Sequence, residues 1–199
     1  MVDSETTDYP ESYYAILDAA VEEFAAQGYA GVRMEHVARR AGFNKSLVYR
    51  FFKNRESLFQ AALRRKFTQR EELLAALPTQ FGELLAWWSE KTRNDPLFMR
   101  MILREAIEDT GAEPVASEER TDYYQKQVDM LKVYQKNGQL PAALDSQYLF
   151  LALLSITVLP TALPQVCRLV TGLDSESVEF TQQWKQFLGG LSEHLADGD

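Results

Sequence analysis

Apolar residues recur along this chain at helical spacing, and breaking residues cut the pattern into ten segments. Pro10 suits a first helical turn, where its missing N–H would be unpaired anyway. Leu17, Ala20, Val21 and Phe24 then mark one helix face that closes at Gly28. Met34, Val37, Ala38 and Ala41 mark a short second helix, turned outward at Glu35, His36, Arg39 and Arg40, with Gly42 as its left-handed stop. Asn44 stands where its side-chain oxygen can cap a third helix, with Val48 and Phe52 inward and Lys45, Ser46, Tyr49 and Arg50 outward. A long helix from Glu56 to about Leu77 carries Leu58, Phe59, Ala62 and Leu73 or Leu74 on its apolar face and ends at Pro78. Helical patterns follow at roughly 80–94, 96–110, 117–137, 145–160, 161–171 and 175–196, divided by Asp95-Pro96, Gly111, Gly138 and Gly172-Leu173-Asp174. No strand pattern or internal repeat interrupts them, so an all-α fold is expected.

Charge sharpens this picture. The net charge of −8 opposes binding to a polyanion, yet residues 33–66 hold ten Lys/Arg against Glu35 and Glu56, a local +8 that leaves −16 for the rest. Such a run is either a solvated face or the footprint of a nucleic-acid surface. Residues 1–9 are acidic and polar with little to bury, and are expected to form a mobile tail. The single cysteine, Cys167, cannot close an intramolecular disulfide, and the N-terminus lacks a basic patch followed by an apolar core, so a cytoplasmic location is expected. The most apolar run, Tyr148 to Pro164, is broken by Ser155, Thr157, Pro160 and Thr161 and falls short of the ~20 residues that span a bilayer, so it reads as buried helix with no membrane partner. Catalysis is not expected. His36 and His194 lie at opposite ends, Cys167 sits among apolar neighbours, and no metal-ligand spacing occurs, so neither metal nor cofactor is anticipated.

A helix, a turn beginning at Gly42 and a second helix with a polar N-terminal turn form the arrangement that lays one helix across a DNA backbone and the next in the major groove. The residues that fill it are Gly28-Tyr29, Met34-Glu35-His36-Val37-Ala38, and the run from Ala41-Gly42-Phe43-Asn44-Lys45-Ser46-Leu47-Val48-Tyr49-Arg50 through Phe51-Phe52-Lys53-Asn54-Arg55-Glu56-Ser57-Leu58-Phe59. This series resembles the DNA-binding signature of TetR-type regulators over about residues 13–60. Three positions depart from the usual pattern. Val32 and Arg33 replace a Thr-Thr or Thr-Ser pair, Ser46 stands where Gly is frequent, and Phe51 replaces His or Tyr.

The resemblance implies an N-terminal three-helix helix-turn-helix domain over 10–55 and a larger helical bundle over 56–199 that senses a ligand and dimerises. It implies Asn44, Lys45, Ser46, Tyr49 and Arg50 in the recognition helix, with Lys53, Arg55 and His36 near phosphates. Arg33 is expected to supply, by a charge-assisted bond, the phosphate anchor that a threonine hydroxyl provides at that helix start. Lys45 and Arg50 can donate to guanine, and Ser46 to base or backbone. Tyr49 can meet a thymine methyl or a phosphate, or instead brace the helix pair. The bland reading of His36 is a solvated side chain.

In the larger part, Leu149, Leu153 and Ile156 on one helix and Phe180, Trp184, Phe187, Leu188 and Leu191 on another, beside Gly189-Gly190, are candidates for a twofold interface or for the subunit's own core. Trp87, Trp88, Phe98, Met101, Tyr123, Tyr124 and Phe150 are candidates for a ligand pocket or, again, plain core. Glu105, with Glu108 and Asp109, is either a site for a cationic ligand or a solvated acidic face. The expected partners are thus a double-stranded operator, a second copy of the chain and a small-molecule effector. The expected function is that of a sequence-specific transcriptional regulator, a repressor released from a palindromic operator by its ligand. The alternative is a helical interaction module whose basic segment binds an acidic protein.

Overall fold

The computed structural model describes residues 9–108, 111 and 113–196. Its regular elements among these are α-helices in the order α1 (Glu11–Gly31), α2 (Met34–Arg40), α3 (Lys45–Phe51), α4 (Arg55–Leu74), α5 (Phe81–Arg93), α6 (Pro96–Ile107), α7 (Ser117–Lys136), α8 (Ser146–Ala162), α9 (Pro164–Thr171) and α10 (Val178–Ala196). They gather into two compact units. One takes the chain up to Lys66 together with Arg100–Ala116, and the other takes Phe67–Met99 and the chain from Ser117 on. The all-α expectation holds. Residues 1–8 of the proposed tail and Asp109 lie outside the described residues, while Tyr9 stacks on Tyr13 with ring centroids 4.0 Å apart.

The first unit is built on α1. Ile16, Leu17, Ala20, Val21 and Phe24 are buried against Val37 of α2, Val48 of α3 and Leu58, Phe59, Ala62 and Leu63 of α4. Each such large apolar side chain contributes roughly 1.5–3 kcal/mol. Phe59 meets both Phe24 (4.8 Å) and Tyr29 (5.2 Å) edge to face. At Gly28 the backbone turns to φ 71°, which breaks the regular α-helix before one last turn to Gly31. A β-carbon there would also stand 2.1 Å from the Glu108 carboxylate, which would have to swing aside. Beside it, Arg104 of α6 donates to the carbonyl of Ala25 at 3.0 Å. Gly42, at φ 77°, ends α2, and the Phe43 N–H reaches back to the Ala38 carbonyl at 2.9 Å. Asn44 then caps α3 by accepting from the Leu47 N–H at 2.9 Å, and Asn54 and Ser57 cap α4 reciprocally.

In the second unit α5 packs against both α8 and α10, and α7 packs on α8. The apolar positions of α5 recur at 81, 84, 85 and 88. Those residues meet Val128, Leu131 and Tyr134 of α7, Leu149, Phe150 and Leu153 of α8, and Leu188 of α10 in one core. Asp145 caps α8 through the N–H groups of Gln147 (2.9 Å) and Tyr148 (3.2 Å).

Several boundaries differ from the sequence pattern, among them the start of α10 at Val178 and the end of α6 at Ile107. Helix α4 stops at Leu74, and looser turns carry the chain to Leu77 before Pro78. Helix α8 runs through Pro160 and breaks at Leu163-Pro164, where the proline takes the first position of α9. No single helix among the described residues is long and apolar enough to cross a membrane.

Candidate nucleic-acid interface and ligand region

The buried face of α3 is set by Val48, which is fully covered, with Leu47 and Phe51 half-buried and Phe52 buried just beyond the helix. That leaves Lys45, Ser46, Tyr49 and Arg50 on its outer face, all exposed, with Tyr49 43% accessible despite its size. An aromatic ring held in water by its helix register is available to a partner. The ammonium of Lys45 lies 5.4 Å from the centre of that ring and forms an ion pair with Glu35 of α2. This hydrogen bond holds the Glu35 carboxyl below its ordinary range and raises the Lys45 ammonium. Lys53 is exposed in the turn after α3, His36 is half-buried on α2, and Asn44 is exposed while its side-chain oxygen serves the cap.

Arg33 and Arg55 take different positions. Arg33 is the exposed N-cap of α2 and gives that helix no side-chain cap. Arg55 is drawn inward, donating to the Ala30 carbonyl at 2.8 Å with its guanidinium 4.5 Å over the Tyr29 ring. Arg40, at the end of α2, is held by Glu22 and the buried Glu23, each at 2.7 Å, and thereby fastens α2 to α1. Arg65 plays a similar part, pairing with Asp18 at 3.0 Å and covering the Tyr14 ring at 4.8 Å. The basic run therefore divides into cations that hold the unit together and cations that face water. Glu35 carried no weight in the sequence pattern. Its place one turn into α2, across from the first residue of α3, was the available signal.

The ligand candidates divide between the units. Met101, fully buried, and Glu105, half-buried with a partner of its own, lie in the first unit. In the second, a chain of ring contacts runs from Phe98 to Phe67 (5.1 Å), from Phe67 to Tyr123 (5.3 Å) and Tyr124 (6.1 Å), from Tyr124 to Phe150 (6.1 Å) and from Phe150 to Trp88 (5.9 Å). Trp87 stands apart, half-buried beneath Lys91 at 5.5 Å. Sequence reading passed over the two cations of this cluster. Arg70 lies 4.6 Å over Phe98 and Arg120 lies 5.4 Å over Phe67. Arg70 falls on an apolar stripe of α4, in the series 63, 67, 70, 74, and that breach of pattern is the signal.

Most residues proposed for a twofold interface are core. Leu149, Leu153, Phe180 and Leu188 are buried within the subunit, and Ile156, Trp184 and Leu191 are partly buried against the same core. Of that set Phe187 alone stands out, at 53% accessibility. Within the subunit α5 packs on both α8 and α10. Other apolar residues on these helices face outward, namely Tyr148 (74%), Leu151 (55%) and Leu159 on α8 and Val178 on α10. A β-carbon added at Gly189 or Gly190 would meet nothing within 4 Å.

Comparison with known proteins places this architecture. Residues 16–62 match the family described as bacterial regulatory proteins, tetR family. The HTH-type transcriptional repressor SCO4008 of Streptomyces coelicolor is 28% identical over 167 residues, which cover 82% of this chain and 85% of that protein. The HTH-type transcriptional regulator RutR of Escherichia coli K12 is 30% identical over 145 residues, covering 68% and 66%. Among solved structures, SCO4942 of Streptomyces coelicolor superposes with a TM-score of 0.74 at 22% identity, covering 92% of this chain and 97% of that one. FadR of Bacillus subtilis, solved with stearoyl-CoA, does so with a TM-score of 0.64 at 18% identity, covering 94% and 99%. With the turn at Gly42, the exposed face of α3 and the all-helical second unit, these likenesses agree on one assignment: the chain belongs to the TetR family of bacterial regulatory proteins.

Proposed function

We propose that this protein is a cytoplasmic, homodimeric repressor that lies on a palindromic operator and leaves it when a small molecule binds. The observation that carries this reading is the exposed face of α3, where Lys45, Ser46, Tyr49 and Arg50 stand on one side of a helix packed through Val48 on the other. In the major groove, Lys45 and Arg50 donate to guanine O6 or N7, Tyr49 packs on a thymine methyl, and Ser46 reaches base or phosphate. Arg33, Lys53 and His36 meet the backbone, and Arg55 braces the start of α4. The section over 10–55 serves as the DNA-binding domain and 56–199 as the sensing and dimerising one.

A single short recognition helix grips weakly, and pairing two of them about 34–36 Å apart on one face of DNA supplies the missing affinity. The outward apolar side chains Tyr148, Leu151, Leu159 and Phe187 support pairing through α8 and α10, because a monomer would leave them in water. The repressors and regulators among the relatives support the regulatory sign, and FadR with stearoyl-CoA supports an organic effector. Ligand and operator then favour different populations of one protein, so each weakens the other's binding equally.

Selection of duplexes from a random library, followed by affinity measurements at several salt concentrations, tests the reading. A palindromic winner with a steep salt dependence, weakened by Lys45→Ala and Tyr49→Ala, is expected. Enrichment of no sequence would overturn it.

A further inference from the structure

We propose that the ring cluster of Phe67, Phe98, Tyr123 and Tyr124 takes the carboxylate of an organic acid, with Arg70 as its anchoring cation. This rests on the ligand-released reading above and names the chemical class of the effector. The Nη1 atom of Arg70 is buried and has no hydrogen-bond partner among the described residues. A buried donor without an acceptor is costly, and native structures retain few of them without a reason. The Phe98 face compensates the charge in part but offers that N–H no lone pair. Nearby carboxylates are engaged, since Glu71, next to Arg70, and Asp122 on α7 both pair with Lys126.

Around Arg70 the remaining polar groups also favour an anion. Arg120 lies over Phe67, the ring that meets Phe98 edge to face, and is hydrogen-bonded to the Tyr124 hydroxyl. Burial pushes the Tyr124 phenol up, so it stays a proton donor at neutral pH. Two guanidinium groups exclude a cationic ligand. A neutral acceptor would meet the Nη1 donor but bring no counter-charge to Arg70. A carboxylate fits the planar fork of a guanidinium, and the buried rings of Phe67, Phe98 and Tyr123 give the anchor an apolar surround.

The test uses the full-length protein and its selected operator, with decanoate and 4-phenylbutyrate as probes and their neutral amides as controls. The carboxylates are expected to raise the melting temperature and release operator, with the amides at least tenfold weaker. Arg70→Met should abolish the response and Arg70→Lys should keep part of it. Without any probe, Arg70→Met should melt no lower than the parent, because the unmatched donor has gone. A response to neither carboxylate, equal responses to acid and amide, or a markedly lower melting temperature for unliganded Arg70→Met would each overturn the anion site. Operator binding is read first in the unliganded parent. Its absence would strike the regulator reading, whereas operator binding with failed acid arms strikes the anion site alone.

Discussion

Two sets of cations, one from each unit of this protein, meet opposite environments. In the first, Lys45, Arg50 and Lys53 stand in water around α3. In the second, Arg70 and Arg120 lie against aromatic faces. A charge in water is screened over roughly 8–10 Å at ordinary ionic strength, so such groups act on a polyanion together and lose strength as salt rises. A cation among rings is screened much less, and one such group can decide whether a ligand enters. The contrast predicts two salt signatures in one molecule. Operator affinity should fall steeply between 50 and 200 mM salt, by a factor on the order of a thousand if the dimer neutralises six or more phosphates. Carboxylate affinity should change only a few-fold over the same range.

The largest mutational effect should come from neither set of charges but from the faces that pair them. Leu151→Glu with Phe187→Glu places carboxylates on the outward faces of α8 and α10 while leaving the core residues Leu153 and Leu188 in place. Sedimentation should then report monomer, and operator affinity should fall by a hundredfold or more while the melting curve changes little. A stable dimer in that variant would move the interface elsewhere. Next in size is Arg50→Ala, expected to cost roughly ten- to a hundredfold in operator affinity and to relax sequence preference at one position, which repeat selection would reveal. Lys53→Ala ranks below it. It should weaken all DNA alike and lower the salt slope by about one per subunit, without altering the selected sequence.

The same contrast explains what the sequence let one read. In the first unit the periodicity of Leu17, Ala20, Val21 and Phe24 and the stops at Gly28 and Gly42 correspond to buried faces and left-handed turns. Its outer residues are whatever the short helices do not bury, so the face of α3 follows from the register of Val48. Sequence spacing does not tell which cations cross to a neighbour. Arg40 reaches Glu22 and Glu23 some eighteen residues away, and Arg55 reaches Ala30. In the second unit α8 and α10 carry apolar residues on more than one side, so periodicity cannot say which side meets α5 and which meets solvent. Leu149, Leu153 and Leu188 were therefore as eligible for an interface as Leu151 and Phe187 until packing separated them. Trp88 and Phe150 looked like core and are core. The informative residue was the exception, Arg70 on an apolar stripe.

The smallest expected effect concerns Glu35, the acid set against the cations of the reading helix. Its ion pair with Lys45 offsets the charge of the first residue of α3 before DNA arrives. Phosphate must compete with that carboxylate for Lys45, which penalises random duplexes more than an operator whose bases also engage Tyr49 and Arg50. Glu35→Gln removes the competitor while keeping the side chain's length. Non-specific affinity should rise by about two- to fivefold and its salt slope should steepen by about one, as expected for one additional phosphate contact. Operator affinity should change less, so discrimination between the two should narrow. Filter-binding titrations of operator and scrambled duplex across a salt series would measure both. If Glu35→Gln instead weakens operator binding and leaves the scrambled duplex untouched, Glu35 accepts a hydrogen bond from a base, with cytosine N4 the natural donor, and the acid belongs among the residues that read sequence.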